Sequence, residues 1–140
     1  MKTPLVILEM ANNHMGSLQH GKKIIFEFQK LTNKYKKKIN FAFKFQYRDS
    51  KSFIHQSYKN SDHSGVKRFE STFFTKEQWK SLLNYANKYF DLICTPFDEI
   101  SVGRVFKENF KYVKIASCSA TDWPLLENII INYKKKIRKL

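Results

Sequence analysis

Glu9, Lys44, Gln46, Thr95 and Lys114 each fall at or near the end of a short apolar run, and Ser117 follows the last of them. Two lysines supply positive charge. Threonine and serine hydroxyls can donate to phosphate or carboxylate oxygens, so the chemistry these types suggest is anion binding. A lysine inside an apolar run is costly unless it is paired or faces a ligand. One such lysine could snorkel outward; two at matching positions in separate runs favour a ligand pocket. The remaining reactive residues carry less. His14 stands alone in a turn-rich stretch, with no second histidine or carboxylate at ligand spacing, and is not read as a metal ligand. His55 and His63 lie in a long polar segment and are expected in solvent. Cys94 and Cys118 are expected as small buried hydrophobes, not nucleophiles.

The elements that must position these residues follow from periodicity. Pro4 to Glu9 reads as a buried strand, and Ala11 to Ser17 as a loop whose Ser17 can cap a helix. Ile24, Phe28, Leu31 and Tyr35 recur at helical spacing. In Ile39 to Gln46, Ile39, Phe41, Phe43 and Phe45 share one face, and Asn40, Ala42, Lys44 and Gln46 the other. In a barrel the large apolar face meets the helices and the smaller or polar face points inward. Tyr47 to Phe74 shows no sustained period, and loops of that length are usually functional or disordered. Thr75 and Gln78 fit a capping box for a helix carrying Trp79, Leu82, Leu83, Ala86 and Phe90. Leu92 to Phe97 is a third strand. Asp98 can cap a helix with Val102, Val105 and Phe106, Tyr112 to Ala116 is a fourth strand, and Pro124 starts a fourth helix through Leu126, Ile129, Ile130 and Tyr133. Strands alternating with helices imply βαβ units and a parallel sheet. The fold class is α/β: four (β/α) units, an open sheet or the first half of a TIM (β/α)8 barrel, which takes about 250 residues. In either, the carboxyl ends of the strands are where sites form.

Composition narrows the function classes. The 140 residues hold 26 Lys plus Arg against 12 Asp plus Glu, a net charge of +14, with 42% hydrophobic residues. That apolar content excludes a disordered basic tail. The abundance of Lys, Asn, Ile and Phe with few Gly follows A/T-rich codons. The basic runs, Lys34 with Lys36 to Lys38 and Lys134 to Lys136, come where helices should end and suit the helix dipole. No zinc-finger or RNA-binding signature supports a nucleic-acid partner. No run of 18 apolar residues implies a membrane span, and residues 1–10 lack the cleavage site of a signal peptide. Two distant cysteines fit a reducing, cytoplasmic setting.

Against this frame five segments resemble the sialic acid synthase family (N-acetylneuraminate synthase and its legionaminic and pseudaminic acid relatives). Glu9-Met10-Ala11-Asn12-Asn13-His14-Met15-Gly16 is similar to its Glu-x-x-x-Asn-His-x-Gly opening, and Lys44-Phe45-Gln46 to its Lys-x-Gln. Cys94-Thr95-Pro96-Phe97 resembles its Ser-Thr-Pro-Phe. Lys114-Ile115-Ala116-Ser117 resembles its Lys-Ile-x-Ser, and Pro124-Leu125-Leu126 the Pro-Leu-Leu that follows. The segments stand in family order and at family spacing. The resemblance implies a (β/α)8 barrel that condenses phosphoenolpyruvate with an N-acylated hexosamine of the N-acetylmannosamine type to give a nonulosonic acid and phosphate. It implies Glu9 and Lys44 as catalytic residues. Gln46, Thr95, Phe97, Lys114, Ser117, Asn13 and His14 are implied on the substrates, Lys44, Thr95, Lys114 and Ser117 around phosphoenolpyruvate. A divalent metal (Mn2+ or Mg2+) is implied for the complete enzyme, with ligands outside this chain, and a homodimer.

Departures from the pattern are Met10-Ala11 where the family has Ile-Gly, Cys94 for Ser, and Ser-Cys-Ser at 117 to 119 for Ser-Gly. Tyr133 to Ile137 begins like the family's fifth strand, and Arg138-Lys139-Leu140 follows. Residues 1–140 therefore read as a truncated N-terminal part of such a barrel, expected to be inactive alone. Two other readings stay open: a non-catalytic phosphoenolpyruvate- or sugar-phosphate-binding fragment, and a basic nucleic-acid-binding protein.

Overall fold

The computed structural model describes residues 3–49, 52–59, 61–108 and 110–137. Its elements run β1 (Leu5–Glu9), α1 (Leu18–Thr32), β2 (Asn40–Tyr47), α2 (Ser64–Ser71), α3 (Lys76–Ala86), β3 (Asp91–Pro96), α4 (Glu99–Lys107), β4 (Tyr112–Val113) and α5 (Trp123–Ile137). The four strands form one parallel sheet in the order β1-β2-β3-β4. This is the α/β arrangement of alternating units read from the sequence.

Register places the two faces as the alternation requires. Glu9 pairs with Lys44, Lys44 with Ile93, and Gln46 with Thr95, so these side chains share one face. The opposite face carries Phe43, Phe45, Tyr47, Leu92 and Cys94. It is buried with Ile25 of α1, Trp79, Leu82, Leu83 and Ala86 of α3, and Val105 of α4. Each fully buried phenylalanine there contributes roughly 1.5–3 kcal/mol. The helix starts follow the cap residues. Ser17 Oγ accepts from His20 N at 3.2 Å, and Asp98 Oδ1 from Ser101 N at 2.7 Å. The Thr75–Gln78 box is closed in both directions, at 3.2 and 2.8 Å. Gly21 lets α1 approach α3: a Cβ there would stand 3.1 Å from Leu82 Cδ1 and 3.3 Å from His14 Cβ.

Several expectations need correction. The first strand is not buried: Leu5, Val6 and Ile7 are 40%, 40% and 49% exposed, because β1 pairs with β2 alone and is the sheet edge. Residues 47–74 are not structureless, since a 3-10 turn (Gln56–Tyr58) and α2 stand within them. The buried line of α1 is Gly21, Ile25 and Thr32, while Leu31 and Tyr35 face solvent. Helix α3 ends at Ala86, so Phe90 reaches the core from the following turn. β4 is two residues long, extended by one rung where Lys114 N donates to Cys94 O at 2.8 Å. Residues Tyr133 to Ile137 continue α5 instead of starting a strand; Arg138 to Leu140 lie outside the described residues. Among the described side chains of α5 the one taken fully inside is Leu125, with Ile130 and Tyr133 exposed. Cys94 is buried as expected, but Cys118 is exposed, because it sits on the 3-10 turn Ser117–Ser119.

Candidate active site

The sheet face away from the helices gathers most of the predicted row. Glu9 ends β1, Lys44 and Gln46 lie near the end of β2, and Thr95 lies near the end of β3. Tyr112 pairs with Ile93, so alternation puts Lys114 on the face of Thr95. Lys44 Nζ forms an ion pair with a Glu9 carboxylate oxygen. The two residues expected to be catalytic are thus direct partners across the β1–β2 register. The other Glu9 oxygen, Oε1, accepts from Ala11 N at 3.0 Å. Thr95 is 2% exposed and its Oγ1 has no hydrogen-bond partner. A buried hydroxyl without a partner carries a desolvation cost of about 1–3 kcal/mol, and such a group calls for an explanation.

The segment after β1 is tightly wound. Ala11 (φ 43°), Met15 (φ 51°) and Gly16 (φ 70°) all occupy the left-handed region, where a residue other than glycine costs on the order of 1–3 kcal/mol. Gly16 is required twice over, since a Cβ there would lie 2.4 Å from Ser71 O at the end of α2. His14 is not solvated. It is 1% exposed, with its ring 4.2 Å from Phe74 and 5.7 Å from Trp79. Its Nδ1 accepts from Gly16 N at 3.2 Å. Burial, and after it the charge of His20, lowers its pKa from 6.5 to about 4. At neutral pH it is uncharged, with its proton on Nε2. His14 thus holds the loop against α3 and the turn before it. Asn13 is exposed on the same loop.

A cavity of about 240 Å³ adjoins the row at Gln46, between the β1 loop and the segment that carries α2; Asn12, His14, Arg48, Phe69 and Trp79 are among its lining. Sequence reasoning missed Arg48. The signal was available, since Lys44, Gln46 and Arg48 continue one period of two past the end of β2. Arg48 Nη2 donates to Gln46 Oε1 at 2.7 Å. Its guanidinium lies over the rings of Phe97, Phe69 and Phe53, at 4.2, 4.7 and 5.4 Å. Burial and then the neighbouring charge of Arg68 lower its pKa. Phe97 is a wall of this aromatic box. Ser117 is exposed on the turn after β4, and His55 and His63 are exposed as expected.

Other reactive groups are accounted for structurally. Tyr47 Oη donates to Glu108 Oε2 at 2.5 Å under Arg104, whose guanidinium lies 4.1 Å from the ring; burial above all raises the phenol's pKa. Burial likewise pushes the Cys94 thiol up, so it is no thiolate nucleophile. Among the described residues no three His, Cys, Asp or Glu side chains converge as a metal site, and no helix is long and apolar enough to cross a membrane.

Comparison with known proteins places this arrangement. The NeuB family profile matches residues 32–138. A structure from Chromobacterium violaceum, given as spore coat polysaccharide biosynthesis protein E, is similar with 46% identity and a TM-score of 0.85. The match covers 90% of this chain and 38% of that one. The N-acetylneuraminic acid (sialic acid) synthetase of Leptospira borgpetersenii, solved with citrate, shares the fold with a TM-score of 0.73 at 24% identity, over 94% of this chain and 42% of that one. The spore coat polysaccharide biosynthesis protein SpsE of Bacillus subtilis does so with a TM-score of 0.64 at 23% identity, over 91% and 33%. The chain thus spans less than half the length of each of these structures, and no curated protein matches it. Its four parallel units correspond to the first half of a barrel-type synthase, and the chain belongs to the NeuB family.

Proposed function

We propose that this chain supplies the phosphoenolpyruvate-binding part of a synthase that condenses phosphoenolpyruvate with an N-acylated hexosamine, giving a nonulosonic acid and phosphate. The observation that carries the reading is Thr95 Oγ1, a buried hydroxyl with no partner, level with Gln46 on the strand face that also bears Lys44 and Lys114. Two ammonium groups, a hydroxyl and an amide suit the phosphate and carboxylate of that substrate. On binding, Lys44 exchanges the Glu9 carboxylate for the anion. Glu9, still held by Ala11 N–H, is then free to orient sugar hydroxyls or assist proton transfer. Substrate C3 bonds to the sugar aldehyde carbon, water adds at C2, and the C2–O bond to phosphate breaks. The metal that the family resemblance implies finds no three-ligand set among the described residues, and no step here runs through it. A homodimer and a cytoplasmic setting belong to the same proposal.

The test is phosphate release from phosphoenolpyruvate by the purified chain with N-acetylmannosamine and manganese. Release that needs both substrates and is lost in Lys44→Ala supports the synthase. Phosphoenolpyruvate-dependent thermal stabilisation lost in Lys44→Ala, with no release, fits the binding part of a synthase and a non-catalytic binding fragment alike. Neither effect would refute both.

A further inference from the structure

The helix layer over the sheet has a gap between α3 and α4. α1 packs against α3 and α4 against α5, whereas α3 and α4 barely touch. Between them lies a groove of about 420 Å³. Its floor is Leu83 of α3 and Leu92 of β3, both core residues, and exposed Asn84 stands at its edge. Lys76 and Lys80 form one bank, Arg104 and Lys107 the other. Glu108 is the one carboxylate in the lining, and it is already engaged: Oε1 holds Arg104 at 3.2 Å and Oε2 accepts from Tyr47 Oη at 2.5 Å. Among the described residues Lys76, Lys80 and Lys107 have no carboxylate at ion-pair distance. Both helices run antiparallel to the strands, so Lys76, the first residue of α3, lies at one end of the groove, and Lys107, the last of α4, lies toward the other. The 11 residues of α3 span about 16 Å. A compact anion would meet one or two of these charges; a rod of negative charge meets them all.

We infer that the groove between α3 and α4 is a docking site for an acidic amphipathic helix of a partner protein. Apolar side chains on one face of that helix cover Leu83 and Leu92. Carboxylates on its two flanks meet Lys76 and Lys80 on one bank and Arg104 and Lys107 on the other. This is helix-in-groove recognition, with complementary charge fixing register and steering the encounter. The inference is independent of the proposed function. Leu92 and Thr95 point to opposite faces of β3, so the sheet itself separates the groove from the strand-end row.

The test uses the full chain and a synthetic helix of about four turns, with leucines along one face and glutamates on both flanks. A scrambled peptide of the same composition is the control for attraction to net charge alone. Fluorescence anisotropy should show the amphipathic peptide binding at least tenfold more tightly than the scrambled one. Lys80→Glu together with Lys107→Glu should weaken it at least tenfold. Lys34→Glu together with Lys37→Glu makes the same change of charge at exposed positions after α1 and should leave affinity within about twofold. Asn84→Trp, at an exposed position, lays an indole over the floor and should abolish binding while circular dichroism shows a folded chain. Equal binding of the two peptides, equal losses in the two charge-reversed pairs, or binding that survives in folded Asn84→Trp overturns the inference. So does NMR mapping in which ATP shifts the amides of the groove and the peptide does not, an outcome that makes the gap a small-anion site.

Discussion

Replacing His14 by asparagine should remove a pH dependence of stability that the buried imidazole creates. The imidazole titrates near 6.5 in an unfolded chain and at about 4 in the fold, chiefly because burial disfavours its charge. Between those values the unfolded chain holds more proton, so stability rises with pH. The His14 contribution is therefore fully present above pH 6.5 and is lost as pH falls toward 4. At pH 5, one and a half units below the unfolded value, the loss is about 2 kcal/mol. Asparagine can still accept from Gly16 N–H, which Nδ1 now does at 3.2 Å, but it does not titrate. Urea unfolding of both chains at low concentration, at pH 7.5 and pH 5, gives the double difference and cancels the carboxylates common to both. The natural chain should lose about 2 kcal/mol more than His14→Asn. Equal losses, or an imidazole that titrates above pH 6 by NMR, would refute the assignment of His14 as a neutral packing residue.

Thr95→Val removes a hydroxyl that no protein group satisfies, so urea unfolding should show unchanged stability or a gain of up to about 1 kcal/mol. Calorimetry should show phosphoenolpyruvate affinity falling about tenfold; a loss of stability with unchanged affinity would contradict the role given to Thr95. Gly16→Ala meets both a positive φ and Ser71 O at 2.4 Å and should cost roughly 2–3 kcal/mol by thermal unfolding. Gly103→Ala, with nothing near its Cβ in the interior of α4, should gain roughly 0.5–1 kcal/mol. Sedimentation should find the 140-residue chain self-associating through its open sheet edges, with Ile7→Lys on exposed β1 shifting it toward monomer. A sharp, reversible monomeric unfolding transition of the natural chain would be the opposite result.

The parts of this molecule readable from sequence are those in which one period governs a whole element. Phe41, Phe43 and Phe45 against Ala42, Lys44 and Gln46 gave both faces of β2, and the caps at Ser17, Thr75 and Asp98 gave three helix starts because each acts within one turn. Three features depended on neighbours instead. The exposure of β1 follows from its place at an edge, which no local pattern encodes. The short α2 is held by the packing of Phe69 against Phe53 and Arg48, not by a period. The Glu9–Lys44 pair arises from register between strands over thirty residues apart in sequence. Arg48 was the avoidable omission, since the alternation that selected Lys44 and Gln46 reaches it in one more step.

The central claim is that the row at the carboxyl ends of β1 to β4 binds phosphoenolpyruvate. Its most direct measurement is calorimetric titration of the chain with that compound, repeated on Lys44→Ala and Lys114→Ala. One site per chain is expected, with affinity at least tenfold weaker in each variant while both remain folded by circular dichroism. Equal affinity in the folded variants, or no binding to a folded natural chain, would contradict it.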